Sequence, residues 1–206
     1  MQAMKQTIRQ SIIAARQKLT VAKHDELSRI ITKRILQLDA YAKANTVLGY
    51  MSFGAEYETR HWLQQALQAG KQVLLPRVNS ATKQLELYQI MDLLLDVAPG
   101  LWNIPEPLPD RCNRIDDLML VDFILLPGVA FARDGARLGY GGGFYDKLLA
   151  RINPQEESRS GADDHPVLAA AAFNMQVVKD IPQEATDRKV EWLLTENEVI
   201  HCSAAV

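Results

Sequence analysis

The sequence has few cysteines and aromatic residues and no long apolar run. Cys112 and Cys202 are its two cysteines among 206 residues, and they form neither a C-x-x-C pair nor a zinc-ligand spacing. We therefore expect free thiols in a reducing compartment. The apolar runs are shorter than the roughly 20 residues that span a bilayer, and the polar N-terminus lacks the apolar core of a signal peptide. These absences predict a soluble cytoplasmic protein.

No charge of one sign dominates the chain. Its 23 Lys and Arg residues nearly balance its 25 Asp and Glu residues, for a formal net charge of −2. No basic cluster is dense enough to predict a nucleic-acid partner, and nothing predicts a membrane partner. Hydrophobic residues make up 48% of the chain, which is typical of globular proteins. We predict one domain over residues 1–206, acting as a monomer.

Helix-like and strand-like segments alternate along the chain. Apolar spacing predicts helices over residues 2–19, 22–38, 59–69 and 144–152. Short apolar runs predict strands over residues 46–51, 73–76, 85–88, 118–126, 167–173 and 190–194. The inward face of the second helix is predicted to carry Leu27, Ile30, Ile31, Ile35 and Leu38, and the polar segment 153–166 is predicted to be a surface loop. Such alternation is typical of an α/β fold with helices on both faces of a mostly parallel sheet, whose ligands bind at the carboxyl ends of the strands.

The most informative stretch follows the strand that ends at Leu126. Pro-Gly at 127–128 stops the strand, Asp-Gly at 134–135 makes a second turn, and four of the five residues 139–143 are glycines. Glycines let main-chain N–H groups approach a ligand closely, and a loop that leads into a helix N-terminus favours an anion. The pattern is not the dinucleotide-binding motif, because Phe144 stands at its sixth position, and no Gly-Lys-Ser/Thr makes it a Walker loop.

Charged residues flank these glycines. Arg137 lies two positions before the first glycine, and Asp146 lies three positions after the last. A cation beside a phosphate loop and a carboxylate able to hold Mg²⁺ suit phosphoryl transfer, whereas a tight strand-to-helix connection is the alternative interpretation. Lys5 and Arg9 share one face of the first helix, and from spacing alone that face is a solvated one.

The order of these motifs closely resembles the 5-formyltetrahydrofolate cyclo-ligase family, also called methenyltetrahydrofolate synthetases. The matching segments are Pro-Gly-Val-Ala-Phe at 127–131, Asp-Gly at 134–135, Arg-Leu-Gly at 137–139 and Gly-Gly-Gly-Phe-Tyr-Asp at 141–146. The resemblance covers nearly the whole chain and is dense at the first helix, the Glu56 loop, the glycine loop and the Asp187 segment. It implies a layered α/β fold similar to those of sugar-phosphate isomerases and CoA transferases.

The resemblance implies which residues bind ATP and Mg²⁺. The implied ATP-binding residues are Lys5, Arg9, Arg137, Leu138, Gly139, Tyr140, Gly141, Gly142, Gly143, Phe144 and Tyr145. Arg137 and Tyr145 are the predicted catalytic residues, and Asp146 and Asp187 the predicted metal ligands. Changing Lys5 and Arg9 both to Ala should weaken ATP binding and leave thermal stability nearly unchanged, because exposed charges contribute little. The chain departs from the family pattern at Thr186, where relatives often carry an aromatic residue or His.

The resemblance also implies a folate subsite. Its predicted residues are Met51, Glu56, Trp102, Tyr140 and Phe144. Glu56 and Thr59 match a folate-contacting Glu that precedes a Thr at the start of a helix, although Glu56 also suits the first turn of that helix on its own. Trp102 precedes Ile-Pro-Glu-Pro at 104–107 and is either a core residue or a flat face for the pterin or aminobenzoyl ring. Asn103 stands where the family usually has Gly.

The implied reaction is the ATP- and Mg²⁺-dependent cyclisation of 5-formyltetrahydrofolate, with or without a polyglutamate tail, to 5,10-methenyltetrahydrofolate, ADP and phosphate. Two alternatives stay open: an isomerase or transferase on the same fold, and a folate-binding protein without turnover. Some relatives carry Arg or Lys among the loop glycines, where this chain has Tyr140. If the phosphate or the folate tail requires that charge, another residue must supply it; Arg133 and Lys147 are nearby in sequence, but the sequence does not show whether either points inward.

Overall fold

The computed structural model describes residues 1–152, 165–184 and 187–202. Its α-helices within these ranges are α1 Gln2–Arg16, α2 Val21–Leu36, α3 Asp39–Lys43, α4 Arg60–Gln68 and α5 Phe144–Ile152. Its strands are β1 Thr46–Leu48, β2 Gln72–Asn79, β3 Gln84–Ile90, β4 Val97–Pro99, β5 Pro105–Pro107, β6 Arg114–Ile115, β7 Phe123–Leu126, β8 Ala130–Ala132, β9 Arg137–Leu138, β10 Val167–Ala171, β11 Val177–Val178, β12 Trp192–Leu194 and β13 Val199–His201. The predicted surface loop, up to residue 164, and Thr186 lie outside the described residues.

The main sheet is mostly parallel, as predicted. Among the described residues its strand order is β13-β12-β10-β7-β1-β2-β3-β6. The strands from β12 to β2 in this order pair in parallel, whereas β13, β3 and β6 pair antiparallel at the two edges. The α/β class with a mostly parallel sheet is thereby confirmed.

Helices cover both faces of this sheet. Because successive strand residues point to opposite faces, Val47 of β1 belongs to the core that contains Ile31 of α2 and Trp62 of α4, and Leu48 belongs to the core that contains Leu148 of α5. The predicted inward position of Ile30 is wrong, since this side chain is 37% exposed. The buried residues of α2 are Leu27, Ser28, Ile31, Thr32 and Ile35, and Ile30 lies outside this stripe.

A second, small sheet carries the glycine-rich loop. β8 and β9 pair antiparallel around the Asp-Gly turn at 134–135, and β11 pairs parallel to β8. Gly135 has φ +86°, and a Cβ there would lie 2.3 Å from the carbonyl oxygen of Val190, so the turn requires glycine. Ile12 of α1 packs in the same apolar cluster as Val129 and Leu138. The first helix is therefore held beside the glycine loop.

Two segments differ from their predicted structure. The predicted strand over 118–126 begins only at Phe123, because Leu118–Leu120 forms a 3₁₀ turn whose Met119 N–H is capped by Asp117. The proline-rich stretch Pro105–Pro107, where the apolar pattern predicted no strand, is a strand that pairs with Val97–Pro99. Across the described ranges, no helix combines the length and the apolarity that crossing a membrane requires.

Candidate active site

The predicted site residues surround one cavity of about 760 Å³. Its walls come from α1, the residues after β1, the turn before β5, the glycine loop with the start of α5, and Glu184 and Asp187. The predicted residues that line it are Lys5, Arg9, Met51, Glu56, Trp102, Arg137, Leu138, Gly139, Tyr140, Gly141, Gly142, Gly143, Phe144, Tyr145, Asp146 and Asp187. The structure thus brings together every residue that the sequence predicted for the site.

The cations of α1 face the cavity rather than solvent. Lys5 is only 7% exposed, and its Nζ lies 3.2 Å from Glu184 and 3.3 Å from Asp187. Burial alone would lower the pKa of Lys5, but the two carboxylates outweigh burial and raise it. Arg9 donates from Nε to the carbonyl oxygen of Gly139 at 2.8 Å. The interpretation as a solvated helix face is therefore wrong.

The glycine loop joins β9 to α5. Gly141 and Gly143 have φ values of +102° and +66°, which side chains other than glycine rarely adopt. α5 begins at Phe144, so its first N–H groups, which lack acceptors within the helix, lie directly after the loop. Arg9 approaches within 3.6 Å of the position that a Cβ on Gly141 would take. Loop, helix start and guanidinium together make a surface whose chemistry suits an anion.

The two predicted metal ligands are each paired with a cation. Arg137 contacts Asp146 at 2.5 Å and donates to the Pro127 carbonyl oxygen at 3.2 Å. Asp187 contacts Lys5 and also accepts the Glu184 N–H at 2.8 Å. Within the described ranges no group of three or more His, Cys, Asp or Glu side chains forms a metal cluster. Two carboxylates of this kind still fit Mg²⁺, which usually takes one or two carboxylates and completes its shell with water and substrate phosphates.

Glu56 is a buried carboxylate in the cavity wall. It is 4% exposed and accepts hydrogen bonds from the Tyr140 hydroxyl at 2.7 Å and from the Phe53 N–H at 3.1 Å. Burial raises the pKa of Glu56, while these two donors and the charge of Arg16 oppose the rise. Thr59, the residue before α4, accepts the Ser52 N–H at 3.1 Å and so ties the Glu56 loop to the helix.

Trp102 is not a core residue. Its side chain is 69% exposed and stands edge to face with Phe144, with ring centroids 6.4 Å apart. Trp102 and Asn103 both have positive φ, 56° and 62°. Since Asn tolerates this region better than most residues, Asn103 fits the backbone that a glycine would adopt there. The exposed indole leaves a flat face at the cavity mouth for a ring.

Met51 is a buried part of the wall and Tyr145 a half-buried one. Met51 is 7% exposed. Burial raises the pKa of Tyr145, and Glu56 adds to the rise, so this phenol is protonated at neutral pH and can only act there as a neutral hydrogen-bonding group.

Neither of the two cations named near the loop faces the cavity. Arg133 pairs with Glu198 and Lys147 is exposed, and neither is among the residues that line the cavity. Arg16 does not line the cavity either, but it contacts the loop, donating to the Tyr140 hydroxyl at 2.8 Å. Arg16 follows Arg9 by seven residues, which places both on one helix face, so the sequence carried a signal for it.

Two further carboxylates were missed. Glu184 lines the cavity beside Asp187. Glu106 lines it as well and is 7% exposed, 3.9 Å from Arg77. A Cβ on Gly100 would lie 2.4 Å from its Oε2. Glu106 belongs to the Ile-Pro-Glu-Pro segment, which was the available sequence signal.

The chain is similar to known proteins over most of its length. A model of the 5-formyltetrahydrofolate cyclo-ligase family matches residues 1–196. The chain is 28% identical over 182 residues to a probable 5-formyltetrahydrofolate cyclo-ligase of Schizosaccharomyces pombe, covering 85% of this chain and 87% of that protein. It is 30% identical over 188 residues to the 5-formyltetrahydrofolate cyclo-ligase of Haemophilus influenzae, covering 89% and 92%.

A solved structure has the same fold. The NMR structure of Aquifex aeolicus 5,10-methenyltetrahydrofolate synthetase superposes with a TM-score of 0.81 at 27% identity, covering 98% of this chain and 95% of that one. The similarity therefore extends across all the elements that build the cavity.

Proposed function

Because the chain belongs to the 5-formyltetrahydrofolate cyclo-ligase family, we propose that it converts 5-formyltetrahydrofolate into 5,10-methenyltetrahydrofolate, consuming ATP and requiring Mg²⁺. The observation that carries the proposal is the composition of the cavity. One group of lining residues offers cations and a glycine loop, which suit phosphates. A second group offers a buried carboxylate and aromatic rings, which suit the polar edge and the flat face of a reduced pterin.

The proposed chemistry turns a poor leaving group into a good one. The formyl oxygen attacks the γ-phosphorus of ATP, the bond to the bridging oxygen breaks, and ADP leaves. N10 of the folate then attacks the formyl carbon and loses its proton, the carbon–oxygen bond breaks, and phosphate leaves with the former formyl oxygen. The protein contributes mainly by aligning this oxygen with the γ-phosphate and by neutralising charge.

We assign the phosphates to the cationic part of the cavity. Lys5, Arg9 and Arg137 supply positive charge, and the glycine loop supplies backbone N–H groups. Arg137 is well suited because its planar guanidinium can donate two parallel hydrogen bonds to a phosphate. Asp146 and Asp187 would hold Mg²⁺, which would neutralise charge on the phosphate oxygens.

We assign the folate to the part of the cavity around Glu56. The ionised carboxylate accepts N–H donors of the pterin, Met51 and Phe144 contact its apolar surface, and Trp102 stacks on a ring. Tyr140 joins this part to the glycine loop through its hydrogen bond to Glu56. Tyr145, which burial keeps protonated, donates a hydrogen bond to a substrate oxygen.

The proposal includes three further points. Residues 1–206 act as one domain and as a monomer. The enzyme works in the cytoplasm without a nucleic-acid partner. Folates with a polyglutamate tail are substrates as well as the monoglutamate.

A single assay tests the activity. Purified protein should form methenyltetrahydrofolate, followed by its absorbance, when 5-formyltetrahydrofolate and Mg-ATP are both present, and ADP should appear with it. An isomerase or transferase would not consume ATP, and a folate-binding protein would bind the substrate without forming ADP. Failure to form the methenyl product with Mg-ATP contradicts the proposed function.

A further inference from the structure

Arg16, at the end of α1, is a buried cation behind the glycine loop. It is 4% exposed, and its Nη2 donates to the Tyr140 hydroxyl at 2.8 Å. Its Nε and Nη1 are buried without a hydrogen-bond partner among the described residues, and no ion pair in the described ranges includes it. Burying such a guanidinium destabilises the fold unless something compensates for the lost hydration.

The contact with Tyr140 fixes the direction of a short hydrogen-bond chain. A guanidinium has donors only, and a phenol has one proton to donate. Because the Tyr140 oxygen accepts from Arg16, its proton is free to point to Glu56, whose Oε1 lies 2.7 Å away. Arg16 therefore acts on Glu56 both through the hydroxyl and through its charge, which lowers the pKa of Glu56 and so favours the ionised carboxylate.

We propose that Arg16 is a positioning residue of the folate subsite, which orients the Tyr140 hydroxyl and thereby holds Glu56 as a carboxylate that faces the cavity. The inference rests on the proposed function, in which Glu56 binds the pterin. It assigns a role to a residue that does not itself line the cavity.

Glu56 has several charged or titratable neighbours. They are Arg16 from α1, His24 from α2, Tyr50 after β1, Tyr140 from the glycine loop and Tyr145 from α5. The His24 ring contacts the carbonyl oxygen of Glu56 at 2.5 Å, not its carboxylate. Arg16 is the one cation among the groups that shift the pKa of Glu56 in the described structure, and its charge lowers that pKa against the effect of burial. Without Arg16 the carboxylate takes up a proton at higher pH.

The test is Arg16→Met, which keeps the apolar stem and removes the charge. The KM for 5-formyltetrahydrofolate should rise, while kcat at saturating folate changes little, because the contact serves substrate and transition state alike. The KM of Arg16→Met, divided by the KM of the protein without the substitution, should grow from about threefold near pH 8 to about tenfold or more near pH 6. A rise of one unit in the pKa of Glu56 corresponds to a factor of ten. This ratio cancels any contribution of His24 that both proteins share.

Tm alone does not separate this role from a structural one. Arg16→Met removes the cost of burying the guanidinium, but it also takes from the buried Glu56 the cation that favours its ionised form, so the pH dependence of the KM is the deciding measurement. Arg34→Met is the matched control, because Arg34 also has a buried, unpartnered Nε but donates to the carbonyl oxygens of Glu196 and Asn197. It should lower Tm and leave the KM for folate and its pH dependence unchanged.

A second variant tests the route through the hydroxyl. Tyr140→Phe should raise the KM for folate, and adding Arg16→Met to it should cost less than the product of the two single effects, because both variants break one chain. If the unchanged protein is active and Arg16→Met shows the same KM ratio at pH 6 and pH 8, the inference is wrong and the proposed function stands. If the unchanged protein forms no methenyl product, the proposed function fails and the inference fails with it.

Discussion

At the scale of single residues, each proposed metal ligand of the cavity forms an ion pair with a cation. Asp146 and Asp187, the proposed metal ligands, contact Arg137 and Lys5, the proposed phosphate ligands. Each pair joins one group that suits Mg²⁺ to one that suits a phosphate oxygen. A Mg-nucleotide carries both partners, so in the proposed complex it would exchange these two internal ion pairs for contacts with the ligand.

The two carboxylates should control the response to Mg²⁺. Asp146→Asn and Asp187→Asn keep the side-chain size and remove the charge. Each should raise the Mg²⁺ concentration needed for half-maximal rate and lower kcat more than it raises the KM for folate, because the metal acts on phosphoryl transfer. Initial rates over a Mg²⁺ titration measure this.

A helix-dipole role for Asp146 is the alternative, since it lies in the first turn of α5. Asp39→Asn is the control, because Asp39 lies in the first turn of α3 and outside the residues that line the cavity. Asp39→Asn should cost at most about 1 kcal/mol of stability and leave the Mg²⁺ titration unchanged. The same result for Asp146→Asn would assign Asp146 to the dipole alone.

At the scale of elements, α1 is the helix that carries the cations of the site. Lys5, Arg9 and Arg16 follow one another at spacings of four and seven residues, which places them on one helix face. The packing of Ile12 against the small sheet turns this face to the cavity. One helix therefore carries residues for both proposed subsites, Lys5 and Arg9 for the phosphates and Arg16 behind Glu56 for the folate.

The structure changes the expectation that removing Lys5 and Arg9 leaves stability unaffected. Lys5 is buried, and Lys5→Ala leaves Glu184 and Asp187 unpaired. We expect a loss of roughly 1 kcal/mol or less, because Glu184 is nearly half exposed and solvent screens the pair. Since the pKa of Lys5 is raised, this contribution is present at neutral pH and is lost only as the pH rises through the raised value.

Both cations should be needed for ATP. Lys5→Ala and Arg9→Ala should each weaken ATP binding by about tenfold, because each removes a charge-assisted hydrogen bond. Calorimetry measures the ATP affinity of each variant. Lys23→Ala is the control, because Lys23 pairs with Glu26 on the exposed side of α2 and should leave ATP affinity and Tm unchanged. Unaltered affinity in both α1 variants would remove them from the ATP site.

The sequence predicted regular elements better than short ones. The helix expected over 144–152 has those bounds, and α4 begins and ends one residue inside its prediction. The two- and three-residue strands of the small sheet were missed, because such lengths show no periodicity, although Asp-Gly between apolar residues is a hairpin signal. The apolar residues before β7 form a turn because a local side-chain cap competes with the strand.

At the scale of the whole molecule, the parallel sheet assembles the cavity from segments far apart in the chain. The rule that ligands bind at the carboxyl ends of parallel strands predicted this convergence, and the family motifs predicted the residues. The sequence did not predict the pairing of Arg16 with Tyr140 or of Lys5 with Glu184. These contacts join residues 124 and 179 positions apart, so they depend on how α1 docks rather than on any local pattern.

We propose that this cavity brings the formyl oxygen of the folate to the γ-phosphate of ATP. The most direct test uses 5-formyltetrahydrofolate labelled with ¹⁸O in the formyl group, with mass spectrometry of the released phosphate. We predict one ¹⁸O atom in the phosphate for each methenyl product formed, because the formyl oxygen leaves on phosphorus. Unlabelled phosphate alongside methenyl product would contradict the account, since the oxygen would then have left without being phosphorylated.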